Sequence, residues 1–237
     1  NRIAMAADFT SFVLRLQNAR IKLASTLRSK SVAAADTDTL TVLVDKTALV
    51  DSTSGLNQIR NGYQLFRGNT TLTRFPEFDT SVFDSMYQIC YGCTALESVP
   101  ALDTSRVTNM MYAFYGCSNL VEIGDMDTLG ISSASEMFHG CSKLRKIARL
   151  NFSNVTSQIT TTFVSCAALE EVVFEGVIHV DIAMNGCPKL TVASLLSLLN
   201  ALASGVSGRE CNIGSKNLAK LTAAQKAIAT GKGWILT

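Results

Sequence analysis

Gly92-Cys-Thr-Ala-Leu96, Gly116-Cys-Ser-Asn-Leu120 and Gly140-Cys-Ser-Lys-Leu144 are three copies of one signature. An earlier copy, Gly68-Asn69-Thr-Thr-Leu72, precedes them, and Ser165-Cys166-Ala-Ala-Leu169 and Gly186-Cys187-Pro-Lys-Leu190 follow, so the steps are 24, 24, 24, 25 and 21 residues. A period of this length marks a chain that stacks similar units, none of which can bury its apolar face alone. The middle of the chain is therefore expected to be a solenoid.

Other columns keep the same phase. Three residues before each Cys position stand Phe66, Cys90, Phe114, Phe138, Phe163 and Met184. After it runs Leu-x-x-[Phe/Val/Ile]-x-x-[Leu/Phe/Met]: Leu72/Phe75/Phe78, Leu96/Val99/Leu102, Leu120/Ile123/Met126 and Leu144/Ile147/Leu150, with Leu169/Val172 opening an irregular fifth turn. Each unit turns about six side chains inward, and at ~1.5–3 kcal/mol per buried side chain stacking offsets an ordering entropy that one unit cannot.

The columns also account for Cys90-Tyr-Gly-Cys93, which in isolation resembles half of a zinc site or a redox pair. Cys90 stands in the Phe column and Cys93 in the Cys column. A zinc site needs two more ligands at matching spacing, and only His139 and His179, in different units, are available. Disulfides along the column are disfavoured, because parallel strands lie ~4.8 Å apart whereas a disulfide needs converging Cβ atoms ~3.8 Å apart. The expected core ladder is Cys93, Cys117, Cys141, Cys166 and Cys187 with Leu96, Leu120, Leu144 and Leu169, its thiols free and serving as small apolar residues. Cys211 is expected in a buried strand outside the repeats.

Three segments follow: residues 1–60, 61–190 with five to six units, and 191–237. In the first, Phe9, Phe12, Leu16, Ala19, Leu23 and Leu27 recur at helical spacing, then Leu40, Leu43, Val44 and Leu49, which gives helix, loop, helix, with Asp36-Thr-Asp-Thr as N-cap residues. In the last, Thr191–Ala203 reads as an amphipathic helix, Glu210–Ile213 as a strand, Leu221–Thr230 as a helix and Trp234–Leu236 as a strand. That is a terminal cap over the last apolar layer. The chain opens at Asn1-Arg-Ile without a start Met or a signal-peptide apolar region, as a fragment or processed product would.

Charge and hydropathy narrow the function classes. A hydrophobic fraction of 47% with 17% charged residues is that of a folded chain, and a net charge of +2 is too small for a nucleic-acid footprint. No apolar run reaches the ~20 residues that span a bilayer. No nucleophile elbow, P-loop, dinucleotide fingerprint or His-Glu-x-x-His motif occurs, so neither catalysis nor a cofactor or metal is expected.

Two surfaces are candidates for binding. The first is the pair of outward positions in each strand, Thr73/Arg74, Glu97/Ser98, Val121/Glu122, Arg145/Lys146 and Glu170/Glu171. In register, Glu122 meets Lys146, Lys146 meets Glu171 and Arg145 meets Glu170, a charge ladder worth roughly 0.2–1 kcal/mol per pair. The second is the column two before Cys: Arg67, Tyr91, Tyr115 and His139. All five tyrosines fall between Tyr63 and Tyr115, and such side chains suit sugar stacking or protein contact as well as packing. Of the sequons at Asn69, Asn151 and Asn154, the first sits in the Cys column and is expected to be buried.

Asp103-Thr-Ser-Arg-Val-Thr-Asn-Met-Met-Tyr-Ala-Phe-Tyr-Gly-Cys-Ser-Asn-Leu120 resembles the repeat of BspA-like leucine-rich-repeat proteins, over about residues 63–190. Asn151-Phe-Ser-Asn-Val155 keeps only part of the Asp-Thr-Ser-x-Val element. The resemblance implies an α/β solenoid, a right-handed superhelix with a parallel β-sheet, N-terminal helices and a C-terminal α/β cap. The tail Asn217–Trp234 is similar to the cap of such proteins from gut bacteria and their phages. Leu23–Val32 with Asp38–Lys46 is similar to a helix-loop-helix near the start of phage tail and other virion proteins. What these resemblances imply is attachment without catalysis. The chain would be a phage virion component, joined through residues 1–60 to virion proteins or to itself as a homotrimer, its solenoid binding a host-surface protein or glycan. The alternatives are a bacterial cell-surface adhesin fragment or a purely structural virion decoration.

Overall fold

The Leu-x-x-Val/Ile segments pair as short parallel strands because a parallel pair needs a crossover of a dozen residues or more, and the 24-residue step supplies one. In the computed structural model, which describes residues 62–76 and 80–237, these strands are β1 (Ser98–Val99), β2 (Glu122–Ile123), β3 (Lys146–Asn151) and β4 (Glu171–Glu175). They form one parallel sheet in the order β1-β2-β3-β4. The helices expected within residues 1–60 and the core position Phe78 lie outside the described residues.

The register follows the repeat. Ser98, Glu122, Lys146 and Glu171 lie side by side, as do Val99, Ile123, Ile147 and Val172. An isolated bridge from Arg74 to Ser98 carries the pairing back one unit. The 25-residue step between Cys141 and Cys166 carries through the pairing of Ile147 with Val172, and the register then slips so that Leu150 pairs with Phe174, 24 residues on.

The crossovers are successions of turns rather than helices, held to one another by backbone hydrogen bonds between adjacent units. Gly68, Gly92, Gly116 and Gly140 donate their amides to the carbonyls of Tyr91, Tyr115, His139 and Val164 at 2.7–2.8 Å. These glycines have φ of 69–77°, a left-handed conformation that costs other residues about 1–2 kcal/mol. The Asp-Thr-Ser element builds a second corner. Asp103 Oδ1 accepts from the Ser105 amide (3.1 Å) and hydroxyl (2.7 Å), and the buried Thr104 hydroxyl donates to the Asp127 carbonyl one unit later at 2.6 Å. Thr80 does the same to Asp103 at 2.8 Å. The two bonds from Ser105, its hydroxyl first and its amide second, hold Asp103's carboxyl below its ordinary value.

Inside, Phe66, Cys90, Phe114, Phe138, Phe163 and Met184 are buried, and Phe114 and Phe138 stack 5.9 Å apart at 3°. Cys93, Cys117, Cys141, Cys166 and Cys187 are wholly buried, as are Leu96, Leu120, Leu144 and Leu169, and all the cysteines are free thiols. The thiols are more than the small apolar residues expected of them. Each Sγ lies against the carbonyl of the Phe-column residue in the preceding unit, on Phe66, Cys90, Phe114 and Phe138 at 3.0–3.1 Å and on Phe163 at 3.7 Å. The S–H groups thus give each of these carbonyls a second donor, beside the backbone amide three residues on that it already accepts.

Beyond β5 (Ile182–Ala183) the repeat gives way to α1 (Val192–Ala201), β6 (Arg209–Asn212), α2 (Ser215–Leu218), α3 (Ala223–Thr230) and β7 (Trp234–Leu236). The strands form a second parallel sheet, β5-β6-β7, with Cys211 buried in it. The short α2 is an addition to the expected helix-strand-helix-strand order. Helix α1 is capped by the Thr191 side chain and turns Leu195, Leu198 and Leu199 inward, and α3 carries a reciprocal Thr222–Gln225 capping box. Two serines of α1 then close the outer edge of β4: the amides of Val172 and Phe174 donate to the hydroxyls of Ser194 (3.0 Å) and Ser197 (2.7 Å). An open row of strand amides would otherwise face the next layer. Residues 62–237 make one compact unit, an α/β arrangement of two open parallel sheets.

Candidate functional site

The residue before each left-handed glycine is carried at the same corner of every unit, so its side chain falls against its counterpart one unit away. Arg67, Tyr91, Tyr115 and His139 accordingly form a continuous row. The Arg67 guanidinium carbon lies 5.2 Å from the Tyr91 ring centre, Tyr91 and Tyr115 stack 4.7 Å apart at 4°, and His139 lies 4.7 Å from Tyr115. A second row runs beside it, with Tyr63 and Tyr87 stacked 5.1 Å apart at 14°. Tyr112 stands between the rows, edge-on to Tyr87, Tyr91 and Tyr115 at 6.0, 6.3 and 5.9 Å. In the same column as Tyr112, Gln64 Nε2 donates to Gln88 Oε1 at 2.8 Å.

The sequence reading followed only the first row. Tyr63, Tyr87, Tyr112, Gln64 and Gln88 complete the face. The signal for them was the same period: Gln64, Gln88, Tyr112 and Glu136 are four residues in one column, all with φ of 54–58°. Glu136, beside Tyr112, is the first cause that raises its phenol above the ordinary value.

Two features of this face concern polar groups without partners. Among the described residues, His139 Nδ1 is the one buried side-chain nitrogen or oxygen lacking a hydrogen bond; it sits 3.4 Å from a Glu136 carboxylate oxygen, without hydrogen-bond alignment. The phenol oxygens of Tyr91 and Tyr115 have no hydrogen-bond partner among the described residues either, and since they are not buried orphans they open to water.

The strand face is different in kind. Arg145 pairs with Glu170 at 3.0 Å and Lys146 with Glu171 at 3.5 Å. Glu122 stands opposite Lys146 in register, but the nearest carboxylate to that ammonium belongs to Glu171. Arg149, which the sequence reading passed over, joins Asp125 at 2.6 Å and Glu175 at 3.9 Å across three units. The hydrogen bonds that Arg145 donates to Glu170 and Arg149 donates to Asp125 raise each guanidinium above its ordinary value. Arg74 and Glu97 are exposed at the same face. Most of its charges thus answer one another, as a solvated ladder does.

One shallow cavity of about 330 Å³ lies between Asn185, Pro188, Gly214 and Lys216, and one of about 170 Å³ lies beside Arg149, Asp127 and Asn151. Among the described residues there is no group of three His, Cys, Asp or Glu side chains placed to hold a metal ion, and no helix is long and apolar enough to cross a membrane. Of the sequons, Asn69 is buried, its Oδ1 accepting from the Thr71 and Leu72 amides at 3.1 Å, while Asn154 is exposed.

Residues 60–174, the repeats that carry both faces, match a family described as "Mycoplasma protein of unknown function, DUF285". No curated protein and no solved structure matches the chain.

Proposed function

We propose that the chain is a non-enzymatic attachment protein: a BspA-like leucine-rich-repeat solenoid that displays its tyrosine face to a host surface. In this reading it is a component of a phage virion, a tail or head appendage. Residues 1–60 join it to other virion proteins or to itself as a homotrimer, and residues 191–237 seal the far end of the solenoid. The observation that carries the reading is the contrast between the two faces. The strand face pairs its charges internally, whereas the tyrosine face holds an aromatic row whose phenols open to water. Aromatic groups with a polar tip are the enriched anchors of protein and ligand interfaces. A rigid repeat scaffold presents them at fixed spacing and at little entropic cost on binding.

The test is attachment to host cells by the wild-type chain and by Tyr91→Ala/Tyr115→Ala. The reading predicts that attachment is abolished, while the melting temperature drops by a few degrees at most, since a stacked pair is worth about 0.5–1.5 kcal/mol. Loss of fold, or unchanged attachment, would count against it. Sedimentation distinguishes the origin. A trimer for the full chain and a monomer for residues 62–237 support the virion appendage, and monomers in both support a bacterial cell-surface adhesin.

A further inference from the structure

Resting on the attachment reading, we infer that the tyrosine face takes a neutral, linear polysaccharide laid along the stacking direction, one sugar per turn, bonded through phenol edges rather than ring faces. The orientation of the rings is the first reason. Tyr91 and Tyr115 are parallel to within 4°, and Tyr63 and Tyr87 to within 14°. Rings stacked face to face spend those faces on one another, and Arg67 covers the open end at Tyr91 as His139 does at Tyr115. What the interior of the row offers a ligand is the positive ring edge and the hydroxyl. A sugar packed flat on an aromatic face has no place there, but a hydroxyl-rich chain running past the edges meets a donor and an acceptor at each rung.

The spacing is the second reason. The rungs recur every 4.7–5.2 Å. An extended peptide presents successive side chains on one side roughly every 6.6 Å, so it loses register with the rungs within two turns. A pyranose residue in an extended chain advances by about the rung spacing and stays in step.

Charge is the third. Among the described residues, the columns of this face carry one guanidinium, Arg67, and one carboxylate, Glu136, whose neighbours are His139 at 3.4 Å and Tyr112. A polyanionic chain would meet Glu136 as it passed the last rung, and a polycationic one would meet Arg67 at the first. The Gln64–Gln88 amide ladder beside the phenols adds further neutral hydrogen-bonding groups.

The experiment uses the full chain against immobilised β-glucan, mannan and galactan, a polyuronate, an extended-peptide array and host cells. The variants are Tyr91→Phe/Tyr115→Phe, which keeps both rings and removes both hydroxyls, and Arg145→Ala/Lys146→Ala on the strand face. The inference predicts retention on at least one neutral polysaccharide, at least tenfold weaker for the Phe variant with an unchanged melting temperature, and unaltered for the strand-face variant. Oligomers of that polysaccharide should compete better with length up to about the number of rungs and no further. Binding confined to the polyuronate or to peptides would overturn it, as would a Phe variant that binds as well as wild type. The two readings fail separately. Attachment to cells that is lost in Tyr91→Ala/Tyr115→Ala, but survives periodate oxidation of the cell-surface sugars, would leave the attachment reading standing and remove this one. Absence of binding to cells and to every probe would remove both.

Discussion

The thiol file makes the fold sensitive to alkali in a way that can be calculated. Burial is the first cause that raises the thiols of Cys90, Cys117 and Cys141 above the ordinary value near 9; for Cys187 the first cause is its neighbour Cys166, followed by burial. Burial likewise pushes Cys211 up to about 12. The folded chain therefore holds these protons at pH values where the unfolded chain has released them. Stability is complete below about pH 9 and falls as pH rises toward the folded values. An unfolded thiol is half ionised near pH 9, so each such group removes about 1 kcal/mol between pH 9 and 10, approaching ~1.4 kcal/mol per unit above that; five together remove roughly 5 kcal/mol over that interval, against a typical total of about 5–15 kcal/mol. The assay is equilibrium urea unfolding of the full chain at pH 8, 9 and 10 under reducing conditions, for wild type and Cys117→Ala. Lysines and tyrosines titrate alike in both proteins, so the difference isolates one thiol. The alanine chain should start less stable, having lost the buried sulfur and its hydrogen bond to the Cys90 carbonyl, but its loss from pH 9 to 10 should be smaller by about 1 kcal/mol. Equal slopes would refute the buried, protonated file.

Other perturbations test separate joints. Ser194→Ala removes the hydroxyl that accepts from the Val172 amide and donates to the Glu170 carbonyl at 3.2 Å; urea unfolding should show a loss of about 1–3 kcal/mol, the cost of a buried group left unpaired. Lys232 donates to the carbonyls of Leu199, Asn200 and Leu202 at 2.6–3.1 Å, closing the end of α1, so Lys232→Met should cost about 1.5–3 kcal/mol. A Cβ at Gly124 would lie 2.5 Å from the Ala101 amide nitrogen in the preceding unit; Gly124→Ala should destabilise by about 1–3 kcal/mol or more, where a loosely stacked pair of units would tolerate it.

What the sequence made legible is what every unit repeats. The Phe, Cys and Leu columns could be read because each buries the same side chain at the same phase, and the strand register follows from that phase alone. The cap's Leu195, Leu198 and Leu199 were legible for a similar reason, their helical spacing. The thiol bonds were not, because each acceptor is a backbone carbonyl 24 to 28 residues upstream that carries no mark in the sequence. Ser194 and Ser197 read as the polar side of an amphipathic helix; only the placement of α1 against β4 turns them into edge partners. Arg149, which reaches Asp125 and Glu175, lies where the β3–β4 register slips between Ile147 and Leu150, and a return of the offset from 25 to 24 inside a strand leaves no mark in the columns. At the tyrosine face the column before glycine was evident. Its meeting with the Tyr63 and Tyr112 columns depends on how the turn folds between them, which the left-handed residues at Gln64, Gln88, Tyr112 and Glu136 determine.

The account stands or falls on residues 24 apart meeting as neighbours. Sulfur anomalous scattering from crystals of the full chain locates the cysteines without reference to any prior coordinates. The predicted result is a file of five sulfur peaks from Cys93 to Cys187, successive peaks about one strand spacing apart (roughly 4.8 Å), with no metal peak among them. Sulfurs dispersed through the molecule, paired at bonding distance or gathered around a metal would contradict it.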